Sequence, residues 1–198
     1  TLDRSSAASD VYKRQGMKTL NELKLQHSKI IQGMLEIKNP GIDEDCPIGL
    51  IDFNHWEWSQ GVGLYGLYGY YKQTRDSKIL SFLTEWYAAR FAEGLPPKNV
   101  NTMSPMLTLA FLYEETQNPQ YYSLCNEWCQ WIMEEMPRTT GGGLQHVCID
   151  RPNTEQLWDD TLFMTVLFLA KWGKVTNNDA YVEEAIYQFL LHSEYLKD

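Results

Sequence analysis

The chain has 198 residues, 43% of them apolar and 22% charged, with a formal net charge of −9. This is enough apolar material for a sizeable core, and the charge has the wrong sign for gripping a phosphate backbone or an anionic membrane surface, so neither nucleic acid nor a membrane is expected as a partner. No apolar stretch approaches the roughly 20 residues of a bilayer span, and the N-terminus lacks the basic-then-apolar order of a secretory signal, so a cytoplasmic product is expected.

In chain order, the first feature is Ser5-Ser-Ala-Ala-Ser-Asp-Val-Tyr-Lys-Arg-Gln15, which matches what a widely used transposase sequencing adapter encodes when read in frame. Residues 1–16 are therefore expected to be an adapter-derived, disordered artefact, with the gene's own product beginning near Met17 and its C-terminal part missing. From Met17 onward apolar residues recur at three- and four-residue spacing with almost no period-two alternation, the pattern of an all-α chain. Helices are expected over about 20–37, 56–73, 77–92, 104–116, 119–136, 156–174 and 179–195. They are punctuated by Asn39-Pro-Gly, Gly94-Leu-Pro-Pro, Gln117-Asn-Pro and Gly141-Gly-Gly. The 7 Trp, 12 Tyr and 7 Phe mostly fall at helical spacing and read first as core, with stacking on sugar faces as the second reading. Cys46, Cys125, Cys129 and Cys148 lack CxxC spacing and read as reduced packing thiols, a metal or disulfide role being the alternative.

A repeat runs through this pattern. Tyr71-Lys-Gln-Thr-Arg-Asp76 followed by Glu85-Trp86 returns 42 residues later as Tyr113-Glu-Glu-Thr-Gln-Asn118 followed by Glu127-Trp128. A third copy, around Thr176-Asn-Asn178, comes after a longer interval whose excess falls in residues 137–155. Periods of this size mean helical hairpins that bury their apolar faces against neighbouring copies, in either an open solenoid or a closed toroid. The short turns then share one rim and the longer connections the other.

Candidate chemistry gathers in the longer connections. Asp159 and Asp160 open an apolar helix, where acids can cap, complement the helix dipole or face a pocket; adjacent helical residues point roughly 100° apart, so one at most does the last. His146 follows a triple glycine and is either a loop histidine or a ligand contact. Asn99 and Asn101 are either helix caps or partners for sugar hydroxyls. Of Trp56 and Trp58, at least one reads as core. No phosphate loop, metal-binding His pair or G-x-S-x-G elbow is present, so neither a metal nor a cofactor is expected.

Together, Trp58-Ser-Gln-Gly-Val-Gly-Leu-Tyr-Gly-Leu67, Asn99-Val-Asn-Thr102, Pro137-Arg-Thr139, Gly142-Gly-Leu-Gln-His146 and Gln156-Leu-Trp-Asp-Asp-Thr-Leu-Phe-Met164 resemble, in this order, glycoside hydrolase family 105, which is related to family 88. The resemblance implies a six-hairpin (α/α)6 toroid, here an N-terminal part with about seven of its helices over residues 17–198. It implies an unsaturated rhamnogalacturonyl or glucuronyl hydrolase, which removes a 4,5-unsaturated uronic acid from the non-reducing end of oligosaccharides left by pectin-type lyases. Asp160 falls on the family's catalytic aspartate, and Trp158, His146 and Met164 on its pocket companions. A second family acid aligns near Asn101, a departure that leaves this position able to bind substrate but not to titrate. Trp58 and Trp158 are expected as apolar walls, and the basic partners of the substrate carboxylate as residues of later hairpins. The chain alone is expected to be inactive.

One carboxyl suffices for this reaction, whereas ordinary glycosidases need two. It protonates C4 of the enol ether, water adds at C5, and the hemiketal opens and expels the aglycone; the same group takes a proton from the attacking water. Two alternatives remain at this stage. Another six-hairpin glycosidase or a sugar epimerase would need a second carboxylate or paired histidines facing Asp160. A non-catalytic helical-repeat carbohydrate-binding scaffold would need no Trp-x-Asp at one mouth.

Overall fold

A computed structural model describes residues 19–39, 51–149 and 151–197. The expected artefact over 1–16 and Cys46 lie outside them. The chain divides into two compact units at Ile37/Lys38. The first contains α1 (Leu20–Glu36), whose start is fixed by a reciprocal cap: Oγ1 of Thr19 accepts from the amide of Glu22 at 3.3 Å while Glu22 Oε2 accepts from the Thr19 amide at 2.7 Å.

The second unit contains α2 (Trp58–Thr74), α3 (Ser77–Glu93), α4 (Val100–Thr116), α5 (Pro119–Glu134), a continuous helix over 159–176, and α8 (Asp179–Leu196). The helix over 159–176 begins as α6 (Asp159–Thr161), passes through a π-helical turn at Leu162–Val166, and continues as α7 (Leu167–Thr176). Among the described residues the only β pairing is two isolated bridges, Arg138 with Leu144 and Cys148 with Arg151. No described helix is long and apolar enough to cross a membrane. The chain is all-α, of the α/α-toroid class.

The repeat is a turn with one recurring mechanism. Thr74, Thr116 and Thr176 end α2, α4 and α7 by donating their hydroxyls to the carbonyls of Tyr70, Leu112 and Trp172 at 2.7–2.8 Å. Arg75, Gln117 and Asn177 then take left-handed conformations with φ of 55°, 53° and 52°. Asp76, Asn118 and Asn178 cap the next helix by accepting from the amides of Lys78, Gln120 and Ala180 at 2.9, 2.9 and 3.1 Å. A left-handed non-glycine residue is uncommon, yet three recur at matching positions, each between a back-bonded threonine and a capping side chain.

Inner helices α2 and α4 run parallel, since they meet at both ends. At the N-terminal ends Ser104 Oγ donates to the Trp58 carbonyl at 3.1 Å. A Cβ on Gly61 would lie 2.5 Å from the Ser104 carbonyl carbon and 2.6 Å from the Pro105 nitrogen, so the two backbones approach as only glycine permits. At the C-terminal ends Glu115 accepts from Tyr68 and Tyr71 and pairs with Lys72 at 3.1 Å and Arg75 at 3.4 Å. Helix α7 joins α4 on its other side, with Lys171 paired to Glu114 and Tyr113 edge-on to Trp172. All short turns therefore share one rim, and the connections 94–99 and 135–158 share the other.

Beneath that second rim, Trp56, Trp86, Tyr87, Phe91 and Trp128 form one aromatic cluster with centroid separations of 5.0–6.1 Å. Two of its polar atoms are spent on backbone: Trp56 Nε1 donates to the Thr102 carbonyl at 2.8 Å and Tyr87 Oη to the Pro105 carbonyl at 2.6 Å. Cys125 and Cys129 are free, buried among the helices, and burial pushes both thiols well up, as expected of inert packing residues.

Three helix starts differ from expectation, one of them being α6, which begins at Asp159 rather than 156 because Trp158 is still extended. Helix α4 begins at Val100 rather than 104, because Asn99 and Thr102 form a capping box and Pro105 sits within the helix instead of opening it. Helix α2 begins at Trp58 because Glu57 caps it, which leaves Trp56 ahead of the helix and free to enter the core.

Two measurements test this packing. Gly61→Ala should cost about 1–3 kcal/mol in urea unfolding through forced separation of α2 and α4. Gly66→Ala, on the same helix with nothing within 4 Å of the new methyl, should be neutral or gain up to about 1 kcal/mol. Equal effects at both sites would refute the close approach. Burial raises the Glu115 pKa, but bonds and charge from Lys72, Tyr68 and Tyr71 outweigh it and hold the group below its usual range. A carboxyl lowered on folding stabilises the fold above its unfolded pKa, about 4.3, and loses that contribution as pH falls through the folded value. Glu115→Gln should therefore flatten the acid limb of the stability profile, and an unchanged slope would show the cluster to be inert.

Candidate functional site

The longer connections converge at the N-terminal ends of α2, α4 and α6, and the 135–158 segment is held there by its own polar groups. Gly142 takes φ of 86°, and its carbonyl accepts from Arg138 Nη1 at 3.2 Å and from Gln188 Nε2 at 3.0 Å. Gln188, fully buried on α8, also accepts from the Leu144 amide at 2.8 Å. The glycine run thus lets the backbone approach α8: a Cβ on Gly143 would meet Leu157 at 2.6 Å and Leu191 at 3.1 Å. Beyond it, the His146 amide donates to the Gln156 carbonyl at 3.0 Å, and the His146 carbonyl accepts from Asn153 Nδ2 at 2.8 Å. The Val147 carbonyl receives the Val100 amide at 2.9 Å, fastening the loop to the start of α4.

These bonds present His146 almost fully buried, with its ring stacked on Trp158 at a centroid separation of 4.3 Å and an interplanar angle of 3°. Trp158 remains 42% exposed, so it is an aromatic surface backed on one face by imidazole. Its indole Nε1 donates to Gln156 Oε1 at 3.0 Å. Such a ring, anchored on one side and open on the other, suits the apolar face of a sugar.

Asp159 and Asp160 occupy the first turn of α6, where unsatisfied amides and the positive dipole end favour carboxylates. Asp159 Oδ1 accepts from the Asp160 amide at 3.1 Å, so Asp159 works on its own backbone. Asp160 is exposed, with its charge acting on His146 more strongly than that of Asp159. Burial lowers the His146 pKa and outweighs both carboxylates, which keeps the imidazole neutral around pH 7.

Asn101 lies in the first turn of α4, 7% exposed, with its Oδ1 accepting from Cys148 Sγ at 3.9 Å. Asn99, by contrast, is the cap, accepting from the Thr102 amide at 3.2 Å. Pro105 has no N–H for the Asn101 carbonyl, so that carbonyl loses its ordinary helical donor. Met164 is 5% exposed within the π turn. The larger i→i+5 turn inserts an extra residue after Asp160 and re-aims everything beyond it relative to a regular α-helix.

Asp160, Trp158, His146 and Asn101 are thus brought together through contacts and charge, with Met164 in the turn just beneath. Trp58 stands at the first position of α2, 41% exposed and tied to α4 through its carbonyl. Two further residues stand at the site that the sequence did not place there. Cys148 is two residues past His146 in an extended stretch, where alternate side chains share a side, and Thr161 directly follows Asp160. Among the described residues, no three His, Cys, Asp or Glu side chains converge as a metal site would require.

Residues 39–198 match the family model described as Glycosyl Hydrolase Family 88. Over 145 residues the chain is 32% identical to the unsaturated rhamnogalacturonyl hydrolase YesR of Bacillus subtilis strain 168, covering 72% of this chain and 42% of that protein. Two solved structures, described as possible members of the GH105 family, both superpose with a TM-score of 0.85. They come from Salmonella enterica serovar Paratyphi A, at 46% identity, and Klebsiella pneumoniae, at 44%; each match covers 93% of this chain and 50% of the other. The chain spans about half the length of the relatives it matches.

The placement of Asp160 beside His146 is testable by following the imidazole C2 proton through a pH titration. Asp160→Asn removes a charge that favours imidazolium, so the His146 midpoint should fall, and Asp159→Asn should lower it less. A midpoint indifferent to Asp160→Asn would separate the two residues.

Proposed function

Because the chain belongs to glycosyl hydrolase family 88, we propose that its protein removes a 4,5-unsaturated uronic acid from the non-reducing end of lyase-generated, pectin-type oligosaccharides. The observation that carries this reading is the pairing of one exposed carboxyl, Asp160, with an imidazole-backed indole at the same helix terminus. The relationship to YesR supports the substrate class.

In this reading Asp160 delivers a proton to C4 of the enol ether. Water adds at C5 and returns a proton to the carboxylate, and the C5 hemiketal opens with loss of the aglycone. Trp158 and Trp58 supply apolar walls, Asn101 and Met164 line the pocket, and His146, being neutral, backs Trp158 without adding charge. Asn101 cannot titrate, so the acid and base steps both fall to Asp160.

The chain by itself is proposed to be inactive. It spans half of its structural relatives, and α8 exposes Ile186, Phe189, Leu190 and Tyr195 at 55%, 55%, 61% and 64%, an apolar surface of the kind that a neighbouring hairpin covers.

The test is the ultraviolet absorbance of the conjugated alkene in an unsaturated disaccharide, with the chain alone and with a full-length version of the protein. The full-length protein should bleach it and the 198-residue chain should not. Asp160→Asn in the full-length protein should lower kcat about 10²–10⁴-fold while leaving sugar binding measurable. Unchanged turnover in that variant would remove Asp160 as the acid, and binding without bleaching by the parent would favour a non-catalytic scaffold.

A further inference from the structure

Four threonines in these helices share one habit. Thr74, Thr84, Thr116 and Thr176 each donate to the carbonyl four residues earlier. Thr161 is placed differently: it is fully buried, and its Oγ1 lies 3.0 Å from Nδ1 of His146. Position 157, four residues earlier, lies ahead of the helix, so the hydroxyl is available for another partner.

Across the ring, Nε2 of His146 lies 3.4 Å from Sγ of Cys148, and that thiol donates to Oδ1 of Asn101 at 3.9 Å. A thiol has one hydrogen. With it directed at Asn101, sulfur can only accept from Nε2, so Nε2 carries the ring proton of a neutral imidazole. Nδ1 is then the acceptor, and its hydrogen comes from Thr161. The opposite tautomer would require Cys148 to donate to Nε2 and would strip Asn101 Oδ1 of this donor.

We infer that Thr161 and Cys148 are positioning residues that hold His146 as its Nε2–H tautomer, within a one-directional hydrogen-bond chain running Thr161 to His146 to Cys148 to Asn101. The chain joins the helix turn carrying Asp160 to the turn carrying Asn101, and it fixes the imidazole plane against which Trp158 stacks. Its value for turnover rests on the hydrolase reading above; the tautomer itself does not.

The readout is the pair of ring-nitrogen resonances of His146 in the ¹⁵N-histidine-labelled chain, identified by their loss in His146→Gln. The parent should show a protonated Nε2 and a bare Nδ1. Thr161→Val should collapse that separation, Thr161→Ser should restore it, and Cys148→Ser should retain it better than Cys148→Ala. A parent spectrum with the proton on Nδ1 overturns the inference, as does a Thr161→Val spectrum identical to the parent's. If Thr161→Val fails to fold, the parent tautomer and the comparison of the two Cys148 variants decide the matter. A full-length protein that leaves the unsaturated disaccharide intact while His146 remains Nε2–H would sink the hydrolase reading and spare this one.

Discussion

The close approach of Gly61 to Ser104 and Pro105 is the constraint on which the candidate site depends. With backbone against backbone, the N-terminal ends of α2 and α4 are locked side by side, and Ser104 adds a hydrogen bond to the Trp58 carbonyl. This fixes Trp58 and Asn101 relative to each other. The aromatic cluster under the rim follows from the same contact, because Trp56 reaches the Thr102 carbonyl and Tyr87 the Pro105 carbonyl only when the two helices meet there. A larger side chain at position 61 would alter the site without being part of it.

The second organising element is the described part of the 135–158 segment, which has almost no regular structure but many hydrogen bonds. Its polar groups pair internally, with α8, or with the starts of α4 and α6. Gln188 is the firmest of these ties, accepting from the Leu144 amide and donating to the Gly142 carbonyl from a fully buried position. Through it, α8 governs where His146 stands although it contributes no candidate residue of its own.

Much of the scaffold was legible in the sequence because its signals are local. Apolar spacing marks the helices, and the Thr-x-Asx repeat proves to be one turn used three times, with hydroxyl, left-handed residue and cap all within three positions. The Trp-x-Asp motif was legible as a helix start, though the choice between a dipole-complementing acid and a pocket acid was not. What stayed hidden depends on contacts between distant segments. Nothing near Pro105 says that Asn99 and Thr102 will start the helix ahead of it, and nothing in Leu162–Val166 announces a π turn. Cys148 looked like another packing thiol until the loop brought it to His146 and Asn101. The glycine triplet left His146 open as a loop histidine or a ligand contact, and the triplet's own tight approach proves to be to Tyr187, Leu157 and Leu191.

The three Thr-x-Asx turns carry a further consequence. Each is complete within its own few residues and asks nothing of its neighbours, so a hairpin can be copied without redesigning its junction. The extra residues of the third repeat accordingly lie on the opposite rim, beside Asp160 and Trp158. One end of the molecule thus repeats a single joint, and the other takes up the extra residues. A chain built this way can lengthen its loops at one end without disturbing the joints at the other.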